Sequence, residues 1–119
     1  MDLSLTEEQT MIQDMARKFA TSELSPVAEK MDQHCDRDLF LANLKQLAEL
    51  GFMGLNISSN YGGTEAGSVA FSLAITEIAR SCASTAVTTS VTNMVAEVIQ
   101  SVGNDAQKKA YLPKLCCGD

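Results

Sequence analysis

The stretch that decides the fold is Ser84–Val102, STAVTTSVTNMVAEVIQSV, in which Glu97 is the single charged residue. A helix with almost no face suited to water is typical of the interior of a bundle. Its large apolar residues recur at spacings of four and three and form one stripe: Val87, Val91, Met94, Val98 and Val102. The opposite side carries hydroxyls that either donate to the carbonyl three or four residues back or line a ligand or partner site: Thr85, Thr88, Thr89 and Thr92. The stretch predicts a central helix that other helices must cover.

A β-strand is the alternative for this stretch, because Val, Ile and Thr fill about half of it and stiff β-branched side chains favour sheet. Its length decides against a strand, since strands rarely exceed about ten residues. Ser84 is placed as a helix N-cap, and Gly103 stands where a left-handed residue commonly ends a helix. We therefore predict a helix over residues 84–102.

Helix signals of the same kind continue on both sides of this segment. The expected helix starts are Thr6 (a capping box with Gln9), Pro26, Asp36 or Asp38, Ser68 and Asn104 (a capping box with Gln107). The expected ends are about Ser22, His34, Gly51, the break at Cys82–Ser84 and a stop or kink at Pro113. Residues expected to face the core include Met11, Met15, Phe19, Met31, Phe40, Leu44, Leu47, Phe71, Ile75, Ile78 and Ala79, with Glu77 outward. The prediction is an all-α bundle of five to six helices around a buried central helix (84–102), with residues 1–119 as one domain.

Composition narrows the class of protein. The chain has 119 residues, 45% of them hydrophobic, and a net charge of −6. The negative charge and the scattered Lys and Arg residues argue against a nucleic-acid partner and against an anionic membrane surface. The four cysteines lack CxxC spacing, which favours a reducing compartment, and no apolar run reaches membrane-spanning length. We expect a bacterial cytoplasmic protein.

No motif completes an active site. His34-Cys35-Asp36 offers three adjacent ligand types, but neighbouring residues do not converge on one metal, so a helix end with a capping Asp is the better interpretation. Cys116-Cys117 is interpreted as two ordinary thiols, since a vicinal disulfide needs a strained peptide. Tyr61-Gly62-Gly63 lacks the Lys of a phosphate loop and is interpreted as a turn. We therefore predict no catalytic residue, no metal site and no cofactor-binding residue within these 119 residues.

Five blocks of sequence together resemble one known family. They are LTEEQ (5–9), LAELGFMG (47–54), NYGG (60–63), EIARSCASTAV (77–87) and GNDAQKKAYLPKL (103–115). In this order and spacing they are similar to the amino-terminal helical domain of the acyl-CoA dehydrogenase family, over essentially the whole chain. The resemblance implies a parent protein with a middle β-domain and a carboxy-terminal four-helix domain, both absent from the 119 residues.

The resemblance also implies a function for the parent. Family members remove hydrogens from the α and β carbons of an acyl-CoA thioester and pass a hydride to FAD. Most flavin contacts and the catalytic carboxylate of the family lie downstream, so the expectation is FAD in the parent, none bound to this fragment, and no activity of the fragment alone. The partners implied are the remaining domains of the same chain, a homo-oligomer, and an electron-transferring flavoprotein.

The amino-terminal domain of the family contributes one wall of the acyl pocket. On this sequence the matching substrate-binding positions are Ala86, Val87, Ser90, Val91 and Met94. The family tends to have one more residue between Asn93 and Gly103, so positions after Asn93 carry over with a possible shift of one. Two alternatives stay open: a stand-alone helical module that binds another protein, and the same domain of an acyl-CoA oxidase.

Overall fold

Helices account for almost all of the chain. A computed structural model describes residues 3–119, and within that range no strand is present. The α-helices are α1 (Glu7–Phe19), α2 (Ala28–His34), α3 (Arg37–Glu49), α4 (Gly67–Ser81), α5 (Ala83–Val102) and α6 (Asp105–Cys117). A π-helical turn (Ala20–Leu24) extends α1, and two 3₁₀ turns (Phe52–Gly54 and Ser59–Tyr61) lie between α3 and α4. The all-α prediction is confirmed.

The helices form a flat arrangement, and this flatness decides how far α5 can be covered. The principal extents are 41 × 39 × 18 Å. Packed helices lie about 8–10 Å apart, so a thickness of 18 Å leaves room for two layers. A helix in a two-layer arrangement keeps one side open. The helix α5 packs against α3, α4 and α6 within the bundle, and the side of α5 that faces away from them is left uncovered.

Several helix boundaries follow the predicted local chemistry. Thr6 and Asn104 each form a reciprocal capping box, with Gln9 and Gln107 respectively. The Asp36 carboxylate accepts the Leu39 amide at 3.1 Å and begins α3. These caps occupy amide groups that the first turn of a helix leaves without partners.

Other predicted helix boundaries differ from those in the structure. The N-cap residues of α5 and α4 are Cys82 and Ala66, in place of the predicted Ser84 and Ser68, and neither forms a side-chain cap hydrogen bond. Gly103 is extended (φ −68°), and glycine suits it because a Cβ there would lie 2.5 Å from the Ile99 carbonyl oxygen. Pro113 lies inside α6, which continues to Cys117 because Leu112 and Cys116 are anchored in a buried cluster.

The core faces of α1 and α4 differ in detail from the prediction. On α1 the buried residues are Ile12, Ala16 and Phe19, whereas Met11 is exposed. On α4 the Ala79 side chain is exposed and Glu77 is buried at 4% exposure, the reverse of the expectation. Glu77 lies inward because α1 supplies its partners.

The Glu77 carboxylate joins α1 to α4. It accepts a hydrogen bond from the Arg17 guanidinium at 2.9 Å and from the Gln13 amide at 3.0 Å, and Arg80 lies 3.6 Å away. The Arg17 hydrogen bond holds the pKa of Glu77 below its ordinary value, although burial acts in the opposite direction. Because the pKa is lower in the folded chain, the carboxylate stabilises the fold at neutral pH, and this contribution is lost as the pH falls below the ordinary glutamate range.

Glu77→Gln is expected to lower the free energy of unfolding by about 1–2 kcal/mol at pH 7. The difference from the unmodified chain should shrink toward pH 3, since the native carboxylate is then being protonated. Urea unfolding at a series of pH values measures both effects. Glu23→Gln, on an exposed residue, is the control and should leave the curve unchanged; an equal loss in both variants would contradict the role of Glu77.

The four thiols differ in exposure: Cys35 and Cys117 are exposed, whereas Cys82 and Cys116 are buried. Burial also raises the pKa of the Cys116 thiol, and Gly54 lies so close to it that a Cβ there would be 2.5 Å from its Sγ. A larger group on this sulfur would therefore disrupt the packing.

Alkylation with iodoacetamide followed by mass spectrometry should modify Cys35 and Cys117 rapidly in the folded chain, because reaction requires an accessible thiolate. Cys82 and Cys116 should react only after unfolding in urea. Rapid modification of Cys116 without denaturant would show that α6 does not pack as described.

Candidate functional site

The buried side of α5 is its polar side. Thr85, Thr89 and Asn93 have no exposed surface, and Ala86 and Ala96 lie beside them. The Thr88, Thr89 and Thr92 hydroxyls donate to carbonyls four residues back at 2.8–3.0 Å, and the Thr85 hydroxyl donates to the Cys82 sulfur at 3.1 Å. The helix itself thus satisfies these hydroxyls, as the back-bonding interpretation predicted.

Asn93 connects α5 to the segment that follows α3. Its Oδ1 accepts the Leu55 amide at 2.8 Å, and its Nδ2 donates to the Phe52 carbonyl at 2.8 Å and to the Thr89 carbonyl at 2.9 Å. All of these atoms are buried, where an unpaired amide or carbonyl group costs about 1–3 kcal/mol. The Asn93 side chain therefore supplies hydrogen-bond partners to two backbone groups, the Leu55 amide and the Phe52 carbonyl, in an irregular segment.

Two further residues of α5 continue this connection toward its C-terminal end. The Gln100 side chain accepts the Ser58 amide at 2.7 Å and donates to the Asn56 carbonyl at 3.3 Å. The Glu97 carboxylate accepts from the Asn56 side chain at 2.6 Å. We call Asn93, Glu97 and Gln100 the amide clamp.

The clamp holds a segment that is buried although it is not regular helix. Phe52, Met53, Leu55 and Ile57 are each at most 3% exposed. The amides of residues 64–66 donate back to the carbonyls of Gly54, Ile57 and Leu55. Gly63 must be glycine because a Cβ there would lie 2.0 Å from the Ile57 carbonyl oxygen. The predicted loop is therefore part of the core.

The opposite side of α5 is an exposed apolar row, which we call the aliphatic face. Its members are Val87, Val91, Met94, Val95, Val98 and Val102, exposed by between 41% and 81% of their surfaces. The stripe predicted from spacing is thus real, but it faces outward. A continuous apolar surface of this kind commonly marks a site of contact with another protein or with a ligand.

The predicted substrate-binding residues divide between the two sides of α5. Val87, Val91 and Met94 belong to the aliphatic face, and Ser90 is half-buried at its border. Ala86 is 4% exposed and packs in the core, so its side chain is not available to a ligand in this arrangement. Four of the five positions therefore form one accessible surface on the first half of the helix.

A cleft of about 560 Å³ lies beside this surface, where α3, α5 and α6 meet. Leu41, Leu44 and Thr92 are among its lining residues. At its mouth the Lys45 ammonium donates to the Asp119 carboxylate at 3.0 Å and to the Cys117 carbonyl at 3.1 Å. The hydrogen bond raises the pKa of Lys45 and lowers that of Asp119, which ties the end of α6 to α3.

The motifs set aside in the sequence have structural roles. Cys35 is left-handed (φ 50°) after α2, and Asp36 caps α3, so this triplet is a helix junction. Gly62 is left-handed (φ 87°) in the turn after Tyr61. Over residues 3–119 no three His, Cys, Asp or Glu residues are grouped so that they could hold a metal. In the same range no helix is long and apolar enough to cross a membrane.

The amide clamp is what sequence reasoning missed. Asn93, Glu97 and Gln100 recur at spacings of four and three, and they are the long polar side chains of an otherwise aliphatic and hydroxyl-bearing helix. This spacing could have indicated that the side of the helix carrying these three residues faces the interior. It could not identify partners that lie about forty residues away in the sequence.

Comparison with known proteins identifies the family. Residues 6–119 match the family model described as "Acyl-CoA dehydrogenase, N-terminal domain". The chain belongs to the acyl-CoA dehydrogenase family and corresponds to its N-terminal domain, as the resemblance predicted.

Individual relatives agree with this assignment. The chain is 38% identical over 119 residues to the acryloyl-CoA reductase (NADH) of Anaerotignum propionicum, covering 99% of this chain and 29% of the relative. It is similar to a solved acyl-CoA dehydrogenase complexed with FAD from Bacillus anthracis, with a TM-score of 0.87 and 30% identity, covering 97% of this chain and 19% of that one. A third similarity is to a chain in a structure described as the electron transferring flavoprotein of Acidaminococcus fermentans, with a TM-score of 0.87 and 34% identity over 99% of this chain and 31% of that one. The chain thus spans less than a third of the length of each.

Asn93→Leu is expected to lower the free energy of unfolding by about 3 kcal/mol, because it leaves the Leu55 amide and the Phe52 carbonyl buried without partners. Urea unfolding followed by circular dichroism measures the change. Asn60→Leu makes the same substitution at an exposed residue and should change stability by less than about 0.5 kcal/mol. A similar small effect at Asn93 would contradict the clamp.

Proposed function

We propose that the 119 residues are the N-terminal part of an FAD-dependent acyl-CoA dehydrogenase and are not active alone. The parent would remove hydrogens from the α and β carbons of an acyl-CoA thioester. The observation that carries the proposal is the aliphatic face of α5, an accessible row without a charged group in a chain that matches the family's N-terminal domain throughout. An apolar acyl chain needs such a wall.

Within that wall we assign contact with the acyl chain to Val87, Ser90, Val91 and Met94. These side chains lie on one surface of the first half of α5, and Ser90 adds one hydroxyl at its border. Ala86 is assigned to the core beneath the wall because its side chain is buried. The rest of the aliphatic face is assigned to contact with the remaining domains of the parent.

The flavin is assigned to those other domains as well. The aliphatic face offers methyl groups and no donor suited to a flavin ring or a pyrophosphate. We therefore propose that FAD binds the parent and not this domain alone. Two relatives support the cofactor and the partner: one solved structure contains FAD, and another comes from work on an electron transferring flavoprotein. That flavoprotein is the electron acceptor we propose, and the parent is proposed to be a homo-oligomer.

The proposed acyl-chain wall on α5 is tested by assaying the full-length parent protein with a panel of acyl-CoA thioesters of increasing chain length. Val91→Trp is expected to lower kcat/KM for the longest accepted chain by about 10-fold or more and to change the shortest chain less, because the larger side chain fills the space along the wall. Val69→Trp, at an exposed position on α4, is the control. Equal losses for all chain lengths would count against a wall at Val91.

The electron acceptor distinguishes an acyl-CoA dehydrogenase from an acyl-CoA oxidase. Reduction of an electron-transferring flavoprotein supports the dehydrogenase, whereas hydrogen peroxide formed from dioxygen would support the acyl-CoA oxidase. If the complete product is inactive with every thioester tested and shows no flavin spectrum, the result would favour the stand-alone helical module. The purified 119-residue chain should elute from gel filtration without flavin absorbance.

A further inference from the structure

A cavity of about 310 Å³ lies between α1, its π-helical extension and α4. We call it the arginine pocket, and its lining side chains are all polar or charged: Arg17, Thr21, Glu77, Arg80 and Ser81. None of these residues belongs to the aliphatic face or to the amide clamp. Most pockets for organic ligands are lined mainly by apolar side chains, so a wholly polar lining indicates a small polar ligand.

The arginine pocket contains more hydrogen-bond donors than the protein uses. Arg80 has five N–H donors, and in the described part of the chain it forms only an ion pair with Glu77 at 3.6 Å and no hydrogen bond. The Thr21 hydroxyl also has no hydrogen-bond partner in that range. Ser81 shares a single hydrogen bond with Ser25 at 2.7 Å, which leaves one hydroxyl hydrogen unused. Unused donors beside cationic groups favour an oxyanion as ligand.

An irregular turn brings the Thr21 hydroxyl to this place. Residues Ala20–Leu24 form a π-helical turn that packs against α4. Turns of this kind are rare, and they are found frequently at functional sites. Here the turn adds a hydroxyl to a cavity that already contains the Arg17 and Arg80 guanidinium groups.

One acceptor among these donors narrows the class of oxyanion. Glu77 is only 4% exposed, and its hydrogen bonds from Gln13 and Arg17 both fall on Oε1. Over the residues that the structure describes, Oε2 accepts no hydrogen bond. A fitting ligand therefore has oxygen atoms for the guanidinium groups and a proton for Oε2. Phosphate offers both near neutral pH, whereas sulfate has no proton to donate.

The charges in the arginine pocket permit an anion to bind weakly. Two guanidinium groups and one carboxylate leave one positive charge in excess. Asp14 lies 3.5 Å from Arg17, but it lines a different groove. The net charge of −6 on the whole chain opposes the approach of an anion, and added salt screens this effect. We therefore expect a dissociation constant of about 1 mM.

We propose that the arginine pocket binds inorganic phosphate or the singly protonated phosphate group of a small ester. Arg17 and Arg80 contact the phosphate oxygens, and Glu77 Oε2 accepts the phosphate proton. Thr21 and Ser81 donate to the remaining oxygens. The site uses no residue of the proposed acyl-chain wall, so the tests of the two proposals are independent.

The first test is a phosphate titration of the isotope-labelled chain at constant ionic strength, followed by NMR. The amide signals of Thr21 and Arg80 should shift with a dissociation constant of about 1 mM, and Arg80→Gln should weaken binding by about ten-fold or more. Arg37→Gln removes the same charge at an exposed residue of α3 and should leave the affinity unchanged. The absence of a saturable shift up to about 10 mM phosphate would overturn the proposal, as would equal effects of the two substitutions.

The role of Glu77 is tested by comparing phosphate with sulfate. The unmodified chain should bind sulfate about ten-fold more weakly or less, because Oε2 then faces an anion without a proton. Glu77→Gln supplies an amide that can donate, so this preference for phosphate should be lost, an effect that a purely structural role would not produce. Circular dichroism checks that the variant is folded. Equal binding of phosphate and sulfate by the unmodified chain would contradict the proposal.

The source of the phosphate group is distinguished with glycerol 3-phosphate. A phosphate ester loses its last proton at about pH 6, whereas inorganic phosphate keeps one proton well above neutral pH. Binding of the ester near that pH, with loss of binding at higher pH, would support an ester as the ligand. Binding of inorganic phosphate alone would support the free ion. Binding of the fully deprotonated ester as tightly as phosphate would overturn the role given to Oε2.

Discussion

The Asn93 side chain supplies the constraint on which the rest of this structure depends. One buried amide group pairs with the Leu55 amide, the Phe52 carbonyl and the Thr89 carbonyl at 2.8–2.9 Å. The segment from Phe52 to Ile57 has too little regular structure to satisfy its own backbone, and its side chains are buried. Water is therefore not available to these groups, and α5 must provide their partners.

This requirement fixes which side of α5 faces inward. Once Asn93 and Gln100 are turned toward the 52–58 segment, the valines at intervening positions must lie on the other side of the helix. An aliphatic helix thus buries amides and hydroxyls and exposes methyl groups. The usual arrangement is the reverse, and it becomes physically reasonable when the exposed face contacts something beyond this domain. The two-layer thickness of the chain has the same consequence, since a third layer is needed to cover both sides of α5.

The sequence predicted the parts of the fold that depend on neighbouring residues. Both capping boxes and the Asp36 cap involve groups three residues apart, and their chemistry is local. The starts of α4 and α5 were missed because neither N-cap residue, Ala66 or Cys82, forms a side-chain cap hydrogen bond of the kind a sequence pattern indicates. Spacing alone could not give the direction of the aliphatic face, because a stripe of valines has the same spacing whether it faces a core or a partner. Glu77 was placed outward for a similar reason: its partner Arg17 is sixty residues away.

The interior of the domain is held by polar pairing between α5 and an irregular buried segment, and the apolar row on the outer side of α5 is uncovered. Amide hydrogen exchange measured residue by residue tests the central claim most directly. The account predicts that the Leu55 amide, although it lies outside the α-helices, exchanges as slowly as core amides of α5 and only on global unfolding. Exchange of Leu55 as fast as the exposed turn at Asn60 would show that Asn93 does not hold this segment.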